Sequence, residues 1–144
     1  NNKKEKIMTQ AIPTSFKAEI LQGIHDSTDT YKIALYTSAS TLDATATAYT
    51  TTNEVSGIGY TSGGQVLSGF SVTTSGTTAI LDFTTDPSWE NATITARGAL
   101  IYNASKANKA VMVLDFGSDK SNSEGTFTIR LPLPDATSGL IRQG

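Results

Sequence analysis

The stretch that decides the fold runs from residue 92 to residue 116. It reads Ala92-Thr93-Ile94-Thr95-Ala96-Arg97-Gly98-Ala99-Leu100-Ile101-Tyr102, then Asn103-Ala104-Ser105-Lys106-Ala107-Asn108-Lys109, then Ala110-Val111-Met112-Val113-Leu114-Asp115-Phe116. Ile94, Ala96, Gly98 and Leu100 recur every second residue, the period of a strand with one face on a core. Gly98 predicts a bulge, or a place where another part of the chain comes close. Residues 103–108 carry turn chemistry, and 110–116 is the most apolar strand of the sequence.

Outward from this pair the same period recurs. Tyr31, Ile33 and Leu35 alternate with Lys32, Ala34 and Tyr36, a half-buried strand over 30–37. Residues 65–73 alternate through Val66, Ser68, Phe70 and Val72 before the turn Thr74-Ser75-Gly76, and 77–83 places Ala79, Leu81 and Phe83 on one face. Asp86-Pro87-Ser88 breaks the pattern. Beyond the central pair, 117–125 reads as a Ser/Asp/Lys/Asn loop, 126–131 returns as a strand, Pro132 and Pro134 end it, and Leu140-Ile141-Arg142 is a short apolar tail. The period of 3.6 residues occurs once, at 14–25. There Phe16, Ile20, Leu21 and Ile24 share a helical face after Pro13, Thr14 or Ser15 can cap it, and Gly23 weakens its end. The fold expected is mainly β, an antiparallel β-sandwich or barrel of about seven strands with one short N-terminal helix.

Two segments stand outside this pattern. Residues 38–64 are too polar for a core, yet Leu42, Tyr49, Val55, Ile58 and Tyr60 can pin them down. We expect an ordered loop draped over the domain, and loops of this length are usually functional. Residues 1–12 read as an N-terminal arm or translated leader, and 13–144 as a single β-rich domain. A Lys-Glu pair can be encoded AAG-GAG, a ribosome-binding sequence, which would make Met8 the natural start.

The composition excludes much chemistry. The 144 residues have room for one core, and a formal charge of −2 offers no basic surplus for a phosphate backbone. Without cysteine there are no disulfides or thiolate sites, and a single histidine, His25, cannot supply a two-imidazole site. No apolar run approaches the roughly 20 residues of a membrane helix. About a quarter of the residues are Ser or Thr.

The remaining candidates for catalysis are sparse. Ser68-Gly69-Phe70-Ser71-Val72 lacks the second glycine of a nucleophile elbow, and His25 beside Asp26 reads as a helix-end residue. Asp82, Asp86 and Glu90 around Trp89, with Asp115 and Asp119 beside Phe116, read as strand-end and turn carboxylates rather than an acid/base pair. Asp115, Asp119, Asn122 and Glu124 do not have EF-hand spacing, and the glycines of 57–64 are followed by neither a helix nor Gly-Lys-Ser/Thr. Asn91-Ala92-Thr93 and Asn103-Ala104-Ser105 match the glycosylation sequon but follow no signal peptide. No enzyme activity, cofactor or metal is expected.

The run Asp29-Thr30-Tyr31-Lys32-Ile33-Ala34-Leu35-Tyr36-Thr37-Ser38-Ala39-Ser40-Thr41-Leu42 resembles a pattern found in small virion structural proteins of tailed bacteriophages. So does Ala48-Tyr49-Thr50-Thr51-Thr52-Asn53-Glu54-Val55-Ser56-Gly57-Ile58-Gly59-Tyr60-Thr61-Ser62-Gly63-Gly64. Ala96-Arg97-Gly98-Ala99-Leu100-Ile101-Tyr102-Asn103, with Val113-Leu114-Asp115-Phe116-Gly117, belongs to the same pattern. The resemblance covers nearly all of 12–142. It implies a non-enzymatic protein located in the virion and assembled in the bacterial host cytoplasm. Among virion roles the capsid decoration (cement) type fits best: such proteins are small, β-rich and often trimeric, and clamp neighbouring capsid subunits with an extended arm.

The partners implied are the major capsid protein or other virion proteins and further copies of the chain, with a trimer favoured and neither nucleic acid nor membrane involved. The interface candidates are Lys3, Lys4, Lys6, Ile7, Met8 and Ile12 of the arm, and Tyr49 and Tyr60 of the loop. Two alternatives stand beside this. One is a tail, neck or fibre-base component. The other is a carbohydrate-binding β module using Trp89, Tyr102 and nearby carboxylates.

Overall fold

The computed structural model describes residues 8–131 and 140–143. One helix, α1 (Thr14–Leu21), precedes the strands β1 (Tyr31–Tyr36), β2 (Gln65–Leu67), β3 (Phe70–Ser75), β4 (Thr78–Phe83), β5 (Ser88–Asn103), β6 (Lys109–Thr128) and β7 (Ile141–Gln143). The strands form two antiparallel sheets, β2-β1-β5-β6 and β3-β4-β7. The architecture is the mainly β, sandwich-like one expected, with seven strands among the described residues and one short helix.

The larger sheet is covered on both faces. Ile33, Leu35, Ala99 and Ile101 enter the main core with Phe16, Leu81, Phe83, Trp89 and Phe127. Their neighbours Ala34, Tyr36, Leu100 and Tyr102 enter a second cluster on the opposite face, closed by Met8 and by Leu42, Ala46 and Tyr49 of the long loop. The loop is thus draped over the back of the sheet. β1 is consequently buried on both faces rather than half-buried, which explains why apolar and aromatic residues occupy both of its sides. Of the five expected pins, Leu42, Tyr49, Val55 and Tyr60 pack inward, whereas Ile58 is 74% exposed.

β5 and β6 are joined by the turn at 104–108, as the turn chemistry predicts. Between Ala96 and Gly98 their register is irregular, and the residues facing the main core change from even positions (Ala92, Ile94, Ala96) to odd ones (Ala99, Ile101). Gly98 has the close approach expected of it. A Cβ there would collide with the Met8 sulfur and the Leu114 carbonyl.

Several boundaries differ from expectation. The segment 117–125 is not a loop but the middle of β6, so two expected strands are one of 20 residues. Its side chains are mostly exposed and it is held through its backbone and hydroxyls, as where Thr95 and Ser121 lie 2.9 Å apart, so it has no apolar alternation. The expected strand 65–73 is broken at Ser68-Gly69, where Gly69 takes a φ of 86° and sends the chain from one sheet to the other. The helix stops at Leu21 because Gly23, at φ 71°, turns the chain out of it. Neither Thr14 nor Ser15 caps it: Pro13 stands at the N-cap, Thr14 donates its backbone N–H to the Ala44 carbonyl at 2.9 Å, and the Ser15 hydroxyl donates to the Ala46 carbonyl at 3.2 Å. Leu21, placed on the apolar face by periodicity, is 84% exposed.

Candidate interaction surface and its polar anchors

The long loop is uncharged apart from Asp43 and Glu54, and both carboxylates accept hydrogen bonds from within the loop. Asp43 accepts from the Thr45 backbone at 2.9 Å and from the Thr45 hydroxyl, closing its own turn. Glu54 gathers the rest of the loop. One of its oxygens accepts from the Tyr49 hydroxyl at 2.6 Å and the Ser62 hydroxyl at 3.1 Å, and the other from the Tyr60 hydroxyl at 2.5 Å and the Gly63 backbone at 2.8 Å.

The tyrosines extend this knot into the sheet. Tyr60 accepts the Leu35 backbone N–H at 2.9 Å, Tyr36 donates to the Thr50 carbonyl at 2.6 Å, and Tyr102 donates to the Gly63 carbonyl at 2.6 Å. The Tyr49 ring stacks on that of Tyr102 with centroids 4.8 Å apart. Burial, reinforced by the Glu54 charge, raises the ionisation of Tyr36, Tyr49 and Tyr60 above the ordinary tyrosine value. Tyr102 is pushed up to about 12, again by burial first. These phenols therefore remain donors, and a carboxylate with four donors has no lone pair directed at a substrate. The arrangement is a fastening, chemically closed.

A second polar cluster ties the helix end to the β5–β6 turn. His25, whose side chain is 1% exposed, bonds Glu19 through Nε2 at 2.9 Å and faces the Asn103 amide nitrogen through Nδ1 at 3.0 Å. Asn103, fully buried, also donates to Asp29 at 2.8 Å, and the Lys106 ammonium reaches both Asp29 oxygens at 2.8 Å. Burial alone would raise the Asp29 carboxyl; the Lys106 and Asn103 donors outweigh it and hold Asp29 below its ordinary value. His25 thus joins a structural cross-link rather than a triad, with no nucleophile in its hydrogen-bonding set.

The carboxylates singled out by sequence disperse. Asp82 is fully buried and accepts from the backbones of Phe83 at 2.8 Å and Leu140 at 3.1 Å, fixing the point where the chain returns as β7. Asp115 pairs with Arg97 across β5 and β6 at 2.8 Å. Among the described residues no three His, Cys, Asp or Glu side chains gather into a metal-holding group. Trp89 is 5% exposed between Tyr60 and Phe127, and Tyr102 lies beneath Tyr49 at 2% exposure, so neither offers an open face on which a sugar ring could stack.

Of the interface candidates, Lys3, Lys4, Lys6 and Ile7 lie outside the described residues. Met8 is buried against Gly98 in the second cluster, and residues 9–11 run along β6, with Ala11 and Val113 exchanging backbone bonds of 3.0 and 2.9 Å. Ile12 lines a groove beside α1. Tyr49 and Tyr60 come together at Glu54, half-buried, so they act on the loop's shape more than as contact residues. The sequence reading missed Glu54 as the hub, and also the His25–Asn103–Asp29–Lys106 cluster. Only the concentration of tyrosines around Glu54, and the turn run Asp26-Ser27-Thr28-Asp29, pointed toward them. Compared with protein-family models, curated proteins and solved structures, the chain matches none.

Proposed function

We propose that the protein is a non-enzymatic structural component of a tailed-bacteriophage virion, of the capsid decoration (cement) type. On this reading it works as a homo-oligomer, a trimer favoured, bound to the major capsid protein. The observation that carries the reading is the loop 37–64: it carries only two charges, both carboxylates accept hydrogen bonds from within it, and it is bolted to the sheet as a hydroxyl-rich surface. Depletion of charge is the compositional mark of interface centres, and a surface already ordered loses little entropy on docking. The resemblance of 29–42, 48–64, 96–103 and 113–117 to virion proteins supplies the class. The saturated carboxylates and phenols are consistent with a scaffold rather than a catalyst.

The test is reconstitution. Phage heads assembled without this protein are mixed with the purified chain and sedimented, and the protein's native mass is measured by light scattering over a tenfold concentration range. Saturable co-sedimentation at a fixed ratio to the major capsid protein, with a trimeric native mass or a trimeric footprint on the head, is the expected result. Failure to bind heads while binding purified tails would replace the decoration role with a tail or neck role.

A further inference from the structure

A groove of about 290 Å³ opens between α1 and the β3-β4-β7 sheet, near the lower end of small-ligand site volumes. Its origin is the short helix. Phe16 anchors α1 in the main core and the chain leaves the helix at Gly23, so the helix leans on β6 and, among the described residues, leaves part of the smaller sheet uncovered. Ile12, Ile20, Val72, Ala79 and Leu81 line the gap, and Val72, on edge strand β3, is 60% exposed. An aliphatic side chain left this open on a core-facing row is costly unless something covers it.

The lining contains one charge among the described residues, Lys17. It is exposed, and it makes no ion pair with any other described residue. The occupant that complements an apolar slot with a lone ammonium at its side is an unbranched aliphatic chain ending in an anion. The chain would replace water along Ile20, Val72 and Leu81, and the anion would meet Lys17 where solvent still reaches it.

We infer that this groove binds a medium-chain aliphatic carboxylate, its hydrocarbon in the cleft between α1 and β3-β4 and its carboxylate at Lys17. The inference does not depend on the virion reading. Titrating decanoate into the full-length protein, followed by the methyl resonances, tests it. Saturable shifts centred on Ile12, Ile20, Val72 and Leu81 are expected, with decanol binding about tenfold more weakly because it lacks the charge.

Lys17→Glu should weaken decanoate by about tenfold or more and leave decanol unchanged. Ala79→Trp, at an exposed position of the lining, should fill the groove and abolish binding of both without lowering the melting temperature. Absence of saturable decanoate shifts overturns the proposal, as does equal binding of decanoate and decanol to wild type and Lys17→Glu, or binding untouched by Ala79→Trp.

Discussion

The Asn103 amide nitrogen, 3.0 Å from His25 Nδ1, decides where the imidazole carries its proton. The amide cannot turn over, because the same nitrogen donates to Asp29 at 2.8 Å and its oxygen accepts from the Ser105 backbone at 3.0 Å. Nδ1 must therefore accept, and Nε2–H donates to Glu19 at 2.9 Å. Nitrogen NMR should show the Nε2–H tautomer for the neutral ring. Asn103→Asp would set a carboxylate against Asp29 and should lower unfolding free energy by about 3 kcal/mol in a denaturant titration. A loss below about 0.5 kcal/mol would mean that the network bears little weight.

Glu54→Gln keeps the shape of the side chain and replaces one acceptor oxygen with a donor. Two of the four donors on Glu54 then face an N–H, whichever way the amide points. The expected loss is about 2 kcal/mol, or roughly 4–8 °C in melting temperature for a chain of this size. Amide exchange should accelerate first in the loop, at Val55 and Gly64, rather than in β5. Uniform acceleration across the sheet would show that the carboxylate supports the whole fold and not the loop in particular.

Alkali should act through the tyrosines. Tyr102 is pushed up to about 12, mainly by burial, whereas an exposed phenol ionises near 10. The folded state holds that proton more tightly than the unfolded chain, so the contribution is fully present below pH 10 and is lost as the pH rises toward 12. All five tyrosines are held above the ordinary value, so phenolate absorbance should stay low through pH 10 and rise only above it, together with loss of β-sheet circular dichroism. A single smooth titration near 10 with the sheet intact would contradict the buried geometry.

Acid should act through Asp29, and in the opposite sense. Burial raises its carboxyl, but Lys106 and Asn103 more than compensate and hold it below 3.8. Its contribution is present above 3.8 and is lost as the pH falls through the lower folded-state value. Denaturant stability should decline below about pH 4, and Asp29→Asn should flatten that decline while lowering stability at neutral pH. An identical acid slope in the variant would assign the effect to other carboxylates, beginning with Asp115, which is also held low, by the Gly117 backbone and Arg97 against its burial.

How much of this was legible depends on whether side chains or backbone hold a segment. Residues 92–102 and 110–116 were readable because alternate side chains enter a core, leaving a period of two. The stretch 117–125 was not. It pairs with β5 at a sheet edge while most of its side chains remain in water, so nothing constrains their polarity. At Ser68-Gly69 the alternation Val66, Ser68, Phe70, Val72 runs on across a change of sheet, and Gly69 was the only sign of the break. Tyr49 and Tyr60 could be read as pins because aromatics in a polar loop need cover. The partners of His25 could not, since Asn103 stands 78 residues away in the chain and no local pattern records that distance.

The side-switch at Gly98 has a mechanical consequence. Each of the two long strands β5 and β6 forms part of the wall of both apolar chambers, one under the smaller sheet and one under the loop. If β5 and β6 part, both chambers lose that common wall, whereas opening one chamber bares a single face of it. Global unfolding therefore empties both chambers together, whereas the loop can still loosen locally over a wall that stands.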